Sequence, residues 1–359
     1  MALDSTSLQQ SDLTVSDLGE KRLLREVIRP LLDDMPQGVG AGDDAAVVPF
    51  PPASRLVVSS DRIPEDLLAR RLGLMSAAEF GQYLVAVSVS DIAAMGAKPL
   101  GTLLTLGLTS DFPVDYLREL VRGAVAAGRT WGSPVLGGDT SSSSAISLSS
   151  SAFGHLPADR ALTRSGARSG DILAVSGAVG GFGAALAYFT AQSEGAAPQL
   201  PSKSAEELRA RLVRPTPRVD LGPALLEREW CTSCMDITDG LGQSLTELSE
   251  ASQIGFDIDV EALPLHPLTW EVSKAIGVDP YEIAFGIGLD LELLVTFKAD
   301  RLREAESVGL TAFGSARAGF TQVRAGGRPA QAGVPGRGWE HFGGDASDFV
   351  ARAHRPETS

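Results

Sequence analysis

Short strand-like runs alternate with helices along almost the whole chain. The run at residues 171–176 (DILAVS), for example, is followed by a glycine-rich turn and then by a helix at 184–192. Residues 18–33 place leucine, isoleucine and valine side chains on one helical stripe. Such alternation is typical of mixed α/β (α+β) proteins, in which helices cover the apolar faces of a sheet.

The length of 359 residues is enough for two ordinary domains. We predict a boundary near residue 157, where one series of strands ends and a second begins. Short segments at both ends are expected to be mobile. The predicted parts are a leader at 1–15, an N-terminal domain at 16–157, a C-terminal domain at 158–345 and a tail at 346–359.

Charge and hydropathy argue against two kinds of partner. The formal net charge is −14 and no run of lysines or arginines occurs, so the surface repels a nucleic-acid backbone. No stretch of about eighteen apolar residues is present, which argues against a membrane span. The N-terminus is polar and unlike a secretory signal, and no disulfide framework is apparent. We therefore expect a cytoplasmic protein.

The two cysteines, Cys231 and Cys234, form a single C-x-x-C pair. Such a pair can be redox-active or can supply half of a zinc site. A zinc site needs further ligands, however, and the four histidines are scattered along the chain. We favour buried structural thiols.

The glycine-rich segment at 177–183 (GAVGGFG) follows a predicted strand, as phosphate-binding loops do. Its spacing is not G-x-G-x-x-G, and no acidic residue ends a matching second strand about twenty residues later. A G-x-x-x-x-G-K-[ST] loop is also absent from the sequence. A plain strand-to-helix turn is the favoured interpretation.

Aspartates flanked by glycine and small polar residues recur where predicted strands end or helices begin. Mg2+ prefers carboxylate oxygens, waters and substrate phosphates, and glycine lets a phosphate approach the backbone closely. Phosphoryl transfer depends mainly on positioning and charge stabilisation, so the pattern favours a magnesium-dependent nucleotide enzyme. Any one cluster alone could equally be a helix cap or a turn. The clusters are GDD (42–44), SSD (59–61), SD (90–91), GGDT (137–140) and DITDG (236–240).

Taken in order, these segments resemble the thiamine-monophosphate kinase family. That family lies within a superfamily of aminoimidazole-ribotide synthetase, selenophosphate synthetase and the hydrogenase-maturation protein that makes nitrile. The succession of SDIAAMGAKP, GGDT and D-x-[ST]-DGL is specific, and the matches span nearly the whole chain. The matching segments are GDDAAVV (42–48), SSD (59–61), VSDIAAMGAKP (89–99), LGGDT (136–140), ALTRSGARSGD (161–171), RPTPR (214–218), DITDGL (236–241) and GWEHF (338–342).

The resemblance implies a two-domain PurM-like fold whose N-terminal strands complete a barrel across a homodimer. It also implies that ATP and Mg2+ are bound, with ATP between an N-terminal domain and a C-terminal α/β domain. The implied metal ligands are Asp44, Ser59, Ser60, Asp61, Asp91, Asp139, Asp236 and Asp239. The implied nucleotide contacts are Gly138, Asp139, Arg164 and Thr238. Among these, Arg164 suits the role because a guanidinium pairs with phosphate oxygens in a fixed fork.

The acceptor side departs from the family pattern. Leu68 and Ala69 stand where the family has His-Phe, Leu289 replaces an acidic residue that faces the substrate, and Leu291 replaces an aromatic residue. Loss of a carboxylate and an imidazole should weaken the binding of a cationic, aromatic substrate. Trp339 is retained and can either stack on a substrate ring or fill the core of the C-terminal domain. The substrate positions implied are therefore Leu68, Leu289 and Trp339.

The leading hypothesis is a magnesium- and ATP-dependent phosphotransferase that resembles thiamine-monophosphate kinase. Transfer would be direct and in line to a small metabolite, phosphorylated or not, which need not be thiamine monophosphate. One alternative is activation of a carbonyl or amide oxygen for cyclisation or dehydration. Another is a non-catalytic relative that only binds nucleotide. The catalytic positions of the leading hypothesis are Asp44, Asp61, Asp91, Asp139 and Asp239.

Overall fold

The chain divides into two compact units, each with its own sheet. The computed structural model describes residues 13–32, 45, 48–64, 66–286, 288–325 and 328–329. Unit 1 comprises the residues up to Ile92 together with Ala97–Ala158, and unit 2 comprises Ala93–Gly96 together with the residues from Asp159 onward. None of the described helices combines the length and the hydropathy that a bilayer span requires.

Unit 1 contains a four-stranded sheet, two long helices and a segmented N-terminal helix. Its elements are α1 (Val15–Leu18), α2 (Glu20–Leu23), a π-helical turn (Leu24–Ile28), α3 (Arg29–Leu32), β1 (Ser54–Ile63), α4 (Leu68–Arg71), α5 (Ala77–Ala94), β2 (Lys98–Leu108), α6 (Val114–Thr130), β3 (Val135–Ser142) and β4 (Ser147–Pro157). The strand order is β1-β4-β2-β3. Strands β2 and β3 run parallel, whereas β4 is antiparallel to both β1 and β2.

The N-terminal helix is not the continuous element predicted for residues 18–33. Gly19, at φ 67°, separates α1 from α2, and the π-helical turn separates α2 from α3. Pro30 accounts for the second interruption, because proline lacks an N–H donor and its ring clashes with the carbonyl four residues earlier, that of Glu26. A widened turn relieves this clash.

The sheet of unit 1 has one covered face and one exposed face. Successive residues of a strand point to opposite sides, and Ser150 of β4 lies 2.8 Å from the Oγ of Ser88 on α5. Asp61 pairs in register with Ser150, so it lies on the face that α5 covers. Leu56 and Val58 of β1 lie on the other face and are 54% and 57% exposed.

Unit 2 contains a seven-stranded sheet flanked by helices. Its elements are β5 (Ile172–Val175), α7 (Gly181–Ser193), α8 (Ser202–Val213), α9 (Leu221–Arg228), β6 (Cys231–Asp236), α10 (Leu241–Ser252), β7 (Gly255–Ile258), α11 (Pro267–Ile276), α12 (Pro280–Phe285), β8 (Leu293–Phe297), α13 (Leu302–Ser307), β9 (Thr311–Arg317), β10 (Val323–Ala325) and β11 (Arg328–Pro329). The strand order is β11-β10-β7-β9-β5-β8-β6. Strands β7 and β10 run parallel, and the other neighbouring strands are antiparallel.

The core of unit 2 forms where α10 packs on the sheet. Phe256, Phe285 and Phe313 are buried there with Leu245 of α10 and Leu294 of β8. A buried phenylalanine or leucine side chain contributes roughly 1.5–3 kcal/mol of transfer free energy. This packing holds the segments before α10 and β8, which carry several of the candidate site residues.

Candidate functional site

Strand β1 and helix α5 bring two of the predicted metal ligands together. The hydroxyl of Ser59 donates a short hydrogen bond to Oδ2 of Asp91, and both side chains are partly buried. Asp61 lies two residues further along β1, on the same face as Ser59. Ser60 points to the opposite face, where its Oγ lies 2.9 Å from Oγ of Ser151. The structure thus places Ser59, Asp61 and Asp91 on one side of the sheet and the side chain of Ser60 on the other.

Strand β3 carries Gly138 and Asp139 at the opposite edge of the sheet. Gly138 has φ 151°, and a Cβ atom there would lie 1.7 Å from the carbonyl oxygen of Leu104. Only glycine therefore fits at position 138. Asp139 follows it, pairs in register with Thr105 of β2, and is exposed.

The register separates Asp61 from Asp139 within one chain. A single row across the sheet runs from Asp61 through Ser150 and Leu104 to Gly138. Three strand spacings along this row amount to about 14 Å. Carboxylates so far apart cannot bind one magnesium ion together, since magnesium ligands lie about 2 Å from the ion.

The second aspartate cluster lies in unit 2 between β6 and α10. Asp236 ends β6 and is 2% exposed, whereas Thr238 and Asp239 are partly exposed in the turn that follows. Gly240 has φ 97°, and a Cβ atom there would lie 1.7 Å from the carbonyl oxygen of Gly286. The turn is therefore held against the segment that leads into β8.

Arg164 lies near the C-terminal end of α10, where its carbonyl accepts a 2.9 Å hydrogen bond from Oγ of Ser252. The neighbouring carbonyl of Thr163 accepts a 2.8 Å hydrogen bond from the amide of Cys234, two residues before Asp236. The exposed guanidinium of Arg164 donates to Oε2 of Glu247 on α10 at 2.6 Å. Nε2 of Gln243 donates to the other Glu247 oxygen at 3.0 Å. A phosphate that binds Arg164 must exchange with the Glu247 carboxylate.

The backbone amides of the glycine-rich segment at 177–183 are hydrogen-bonded to a carboxylate of the same chain. The carboxylate of Asp290 accepts from the amide of Gly180 at 2.8 Å and from the amide of Phe182 at 3.1 Å, at the start of α7. Burial raises the pKa of Asp290, and the two amide bonds partly oppose that rise. A helix N-terminus binds phosphate through N–H groups that have no other acceptor. At this end of α7 the amides of Gly180 and Phe182 already donate to Asp290. The arrangement supports a plain strand-to-helix turn.

The positions that depart from the family pattern differ in how far their side chains are buried. Leu289 and Leu68 are partly buried. Leu291 is fully buried at φ 53°, and its amide donates to the carbonyl of Ile237 at 3.0 Å. Leu291 is therefore a core residue with a strained backbone, and Ala69 is also buried at 3% exposure. Leu289 and Leu68 remain as the altered positions whose side chains are partly exposed.

An ion pair that was not predicted from the sequence anchors the start of β8. Glu292 is 4% exposed and accepts from Nε of Arg218 at 2.7 Å, and Nη2 of Arg218 donates to its other oxygen. This carboxylate raises the pKa of Arg218. Ser176 Oγ donates to Glu292 at 2.5 Å and accepts from the amide of Leu293 at 2.8 Å. The sequence signal for this pair is the RPTPR segment (214–218), which ends in Arg218.

The two cysteine thiols are unlinked and lie on β6. Burial raises the pKa of Cys231 to about 12 and raises the pKa of Cys234 well above its ordinary value. A nucleophilic or metal-binding cysteine needs a stabilised thiolate, so these environments favour structural thiols.

The donor set suits magnesium. Within the described ranges, no three His, Cys, Asp or Glu side chains form one metal-binding group. Mg2+ does not need such a group, because it binds through one or two carboxylates plus waters and substrate phosphates. The described candidates offer only oxygen donors, as a hard cation requires. Of the other predicted positions, Asp44 and Trp339 lie outside the described residues.

Comparison with known proteins identifies the family. Residues 42–156 match the N-terminal domain of the AIR synthase related protein family, and residues 168–312 match its C-terminal domain. A thiamine-monophosphate kinase of Synechococcus elongatus is 34% identical over 272 residues, which cover 72% of this chain and 77% of that protein. The chain belongs to the thiamine-monophosphate kinase family.

Solved structures of thiamine-monophosphate kinases share the fold. The Stenotrophomonas maltophilia enzyme superposes with a TM-score of 0.73 at 31% identity, covering 84% of this chain and 95% of that one. AaThiL complexed with AMPPCP and TMP superposes with a TM-score of 0.71 at 27% identity, covering 94% of this chain and all of that one (100%). These likenesses confirm the predicted family, its two-domain PurM-like fold and the kinase class of enzyme. In the described residues of this family member, neither the four-stranded nor the seven-stranded sheet closes into a barrel.

Proposed function

We propose that the chain is a magnesium-dependent phosphotransferase that transfers the γ-phosphoryl group of ATP directly to a small metabolite, phosphorylated or not. The observation that carries this proposal is the contact of Ser59 with Asp91 beside Asp61, because it gathers hard oxygen donors where β1 meets α5. The relatives named thiamine-monophosphate kinases, and the AaThiL complex with AMPPCP and TMP, support the same chemistry.

Each unit contributes metal ligands in this proposal. When bound, Mg2+ would neutralise phosphate charge and orient the transferred group. In unit 1 the proposed ligands are Ser59, Ser60 and Asp61 on edge strand β1, Asp91 on helix α5, and Asp139 on the opposite edge strand β3. The remaining proposed ligands are Asp44, Asp236 and Asp239.

The remaining polar groups would bind and orient the nucleotide. Gly138 exposes its backbone on an edge strand, Thr238 lies in the turn after β6, and Arg164 lies beside α10, where it contacts Glu247. Arg164 can present two N–H groups to a phosphate once it leaves Glu247. Because phosphoryl transfer is governed by positioning and charge, the acceptor hydroxyl or phosphate can attack directly, without a covalent enzyme intermediate.

Phosphorus NMR of the purified protein with ATP, Mg2+ and thiamine monophosphate tests this proposal. Formation of thiamine diphosphate and ADP, absent without the acceptor, would establish the kinase reaction. Formation of ADP and inorganic phosphate without a phosphorylated product would instead indicate activation of a carbonyl or amide oxygen. Tight nucleotide binding without turnover over a broad acceptor panel would indicate a non-catalytic relative.

We further propose that the acceptor pocket disfavours a cationic ring at Leu289. The variant Leu289→Glu should raise kcat/KM for thiamine monophosphate by roughly tenfold, because a carboxylate would pair with the thiazolium charge. Leu289→Gln is the matched control, since it has nearly the same size and no charge. Steady-state kinetics that show equal effects of Glu and Gln would contradict a charge-based pocket.

The exposed face of the unit 1 sheet is proposed to bind a second copy of the chain. Leu56 and Val58 lie on this face of β1 with more than half of their surface in solvent. Apolar side chains on a broad open sheet are typical of a self-association surface. Association of the four-stranded sheets of two copies would form the homodimeric barrel that the sequence resemblance implies.

The variant Val58→Asp should convert the dimer to monomer by size-exclusion chromatography with light scattering. The buried carboxylate would lack a partner, which we expect to weaken association by at least about a hundredfold. Leu72→Asp is the control, because Leu72 is also exposed in unit 1 but follows α4 outside the sheet. A wild-type monomer at micromolar concentration, or a dimer that survives Val58→Asp, would rule out this interface.

A further inference from the structure

The turn after β6 is hydrogen-bonded through its backbone to the segment that leads into β8. Ile237 lies between Asp236 and Asp239 in sequence and is fully buried. Its amide donates to the carbonyl of Glu292 at 2.9 Å, and its carbonyl accepts from the amide of Leu291 at 3.0 Å. The direction of the Ile237 backbone, and with it the placement of the two aspartates, therefore depends on where Leu291 and Glu292 lie.

The side chain of Glu292 fixes the position of that segment. Both of its carboxylate oxygens accept from the guanidinium of Arg218, and one of them also accepts from the hydroxyl of Ser176 at 2.5 Å. Gly177 leaves room for this arrangement, since a Cβ atom there would lie 2.5 Å from Oε1 of Glu292 and 2.7 Å from Nη2 of Arg218. A carboxylate held by donors on both oxygens has one orientation, so the backbone carbonyl of the same residue has one direction too.

Stability alone does not account for an ion pair at this position. Removing a carboxylate from water is costly, and a buried ion pair is often no more stabilising than apolar residues of similar size. The forked pairing of a guanidinium with a carboxylate fixes a geometry that apolar side chains do not fix. Arg218 is itself anchored, because its carbonyl accepts from the amides of Leu221 and Gly222 at the start of α9, at 3.1 and 3.3 Å.

We propose that Arg218 and Glu292 are positioning residues for magnesium binding by Asp236 and Asp239, and that they act through the backbone of Ile237. The inference rests on the proposed function, in which these two aspartates bind Mg2+. Polar groups that orient metal ligands without touching the ion commonly change metal affinity or activity by about 10- to 100-fold. Such an effect is larger than the loss of an exposed ion pair would cause.

The test uses the variant Arg218→Leu/Glu292→Leu, which removes the ion pair without leaving an unpaired buried carboxylate. ADP release with acceptor, measured against Mg2+ concentration, should show a half-saturation concentration about tenfold higher or more. The kcat at saturating Mg2+ should stay within about threefold of the wild type, because excess metal restores the occupied site. A smaller folded fraction would do the opposite, since it lowers kcat and leaves half-saturation unchanged.

The matched control is Arg301→Leu/Glu304→Leu. It removes an exposed ion pair of the same unit, at 3.0 Å, that lies at the start of α13. Its Mg2+ dependence should equal that of the wild type, because exposed ion pairs contribute little.

Hydrogen exchange followed by mass spectrometry provides a readout that needs no turnover. In Arg218→Leu/Glu292→Leu, peptides that cover 236–241 and 288–293 should exchange about tenfold faster or more, because the bonds between Ile237 and the segment before β8 open more often. Peptides of β7, which lies three strands away from β8 in the sheet, should exchange as in the wild type. Unfolding of the whole unit would accelerate both sets.

The outcomes separate this inference from the proposed function. Wild-type exchange at 236–241 in the double variant would overturn the inference. A wild-type Mg2+ dependence despite faster exchange would overturn it as well, because the ion pair would then order the turn without affecting the metal. A wild type without magnesium-dependent turnover would refute the proposed function instead, and the exchange rates would still decide whether Arg218 and Glu292 position the turn.

Discussion

Replacing Asp91 by asparagine is expected to lower magnesium-dependent phosphoryl transfer by roughly a thousandfold. The side chain keeps its size and can still accept a hydrogen bond from the hydroxyl of Ser59. The charge that would hold Mg2+ is lost, however, so the phosphates would no longer be neutralised during transfer. The measurement is steady-state ADP release with acceptor as a function of Mg2+ concentration.

Asp115→Asn is the matched control for this experiment. Asp115 is a carboxylate of the same unit that pairs with Arg118 on the surface of α6. Its loss should leave turnover within about twofold of the wild type, because exposed ion pairs contribute little. Full magnesium-dependent activity in Asp91→Asn would show that the contact between β1 and α5 is not a metal site.

Replacing Arg218 by leucine is expected to lower the free energy of unfolding of unit 2 by about 3 kcal/mol. The substitution would leave the carboxylate of Glu292 buried, with the hydroxyl of Ser176 still donating a hydrogen bond to it. Part of Arg218 reaches solvent, with 41% of its side chain exposed, so the loss should fall at the lower end for a buried pair. Urea unfolding that follows the fluorescence of Trp230, which packs on Phe297 in this unit, measures the effect.

A double variant distinguishes the loss of the ion pair itself from the cost of burying an unpaired carboxylate. Arg218→Leu/Glu292→Leu removes both partners, and it should be more stable than Arg218→Leu alone because no buried carboxylate remains. Arg160→Leu is the surface control, since its partner Glu229 is largely exposed, and it should cost less than about 1 kcal/mol. A single variant as stable as the wild type would mean that water already solvates Glu292.

Local patterns were sufficient to predict the class of fold, but not its interruptions. The alternation of strands and helices gave the correct α/β class, and Asp279 with Pro280 marks the start of α12 by the usual capping chemistry. The helix predicted for 18–33 is interrupted because Pro30 outweighs a continuous apolar stripe. Helix α13, which was not predicted, has only six residues, half of them charged, so it has little hydrophobic periodicity.

Residue types indicated candidate positions in the site, whereas their spatial relations required the fold. Nothing in the spacing of Ser59 and Asp91 predicts a hydrogen bond across thirty-two positions of sequence. The register of four strands likewise determines that Asp61 and Asp139 lie at opposite edges. Long-range pairing of this kind depends on the whole sheet, so a single sequence does not reveal it. The roles of these residues, and of Asp44 and Trp339, stay predictions.

The carboxylate of Asp290 at the start of α7 acts as a tethered anion. Because it is covalently part of the chain, its effective concentration at the amides of Gly180 and Phe182 far exceeds that of any phosphate in solution. Inorganic phosphate and nucleotides are therefore outcompeted at this helix end. A glycine-rich turn after a strand can in this way retain the backbone of a phosphate loop while being reserved for an internal ligand.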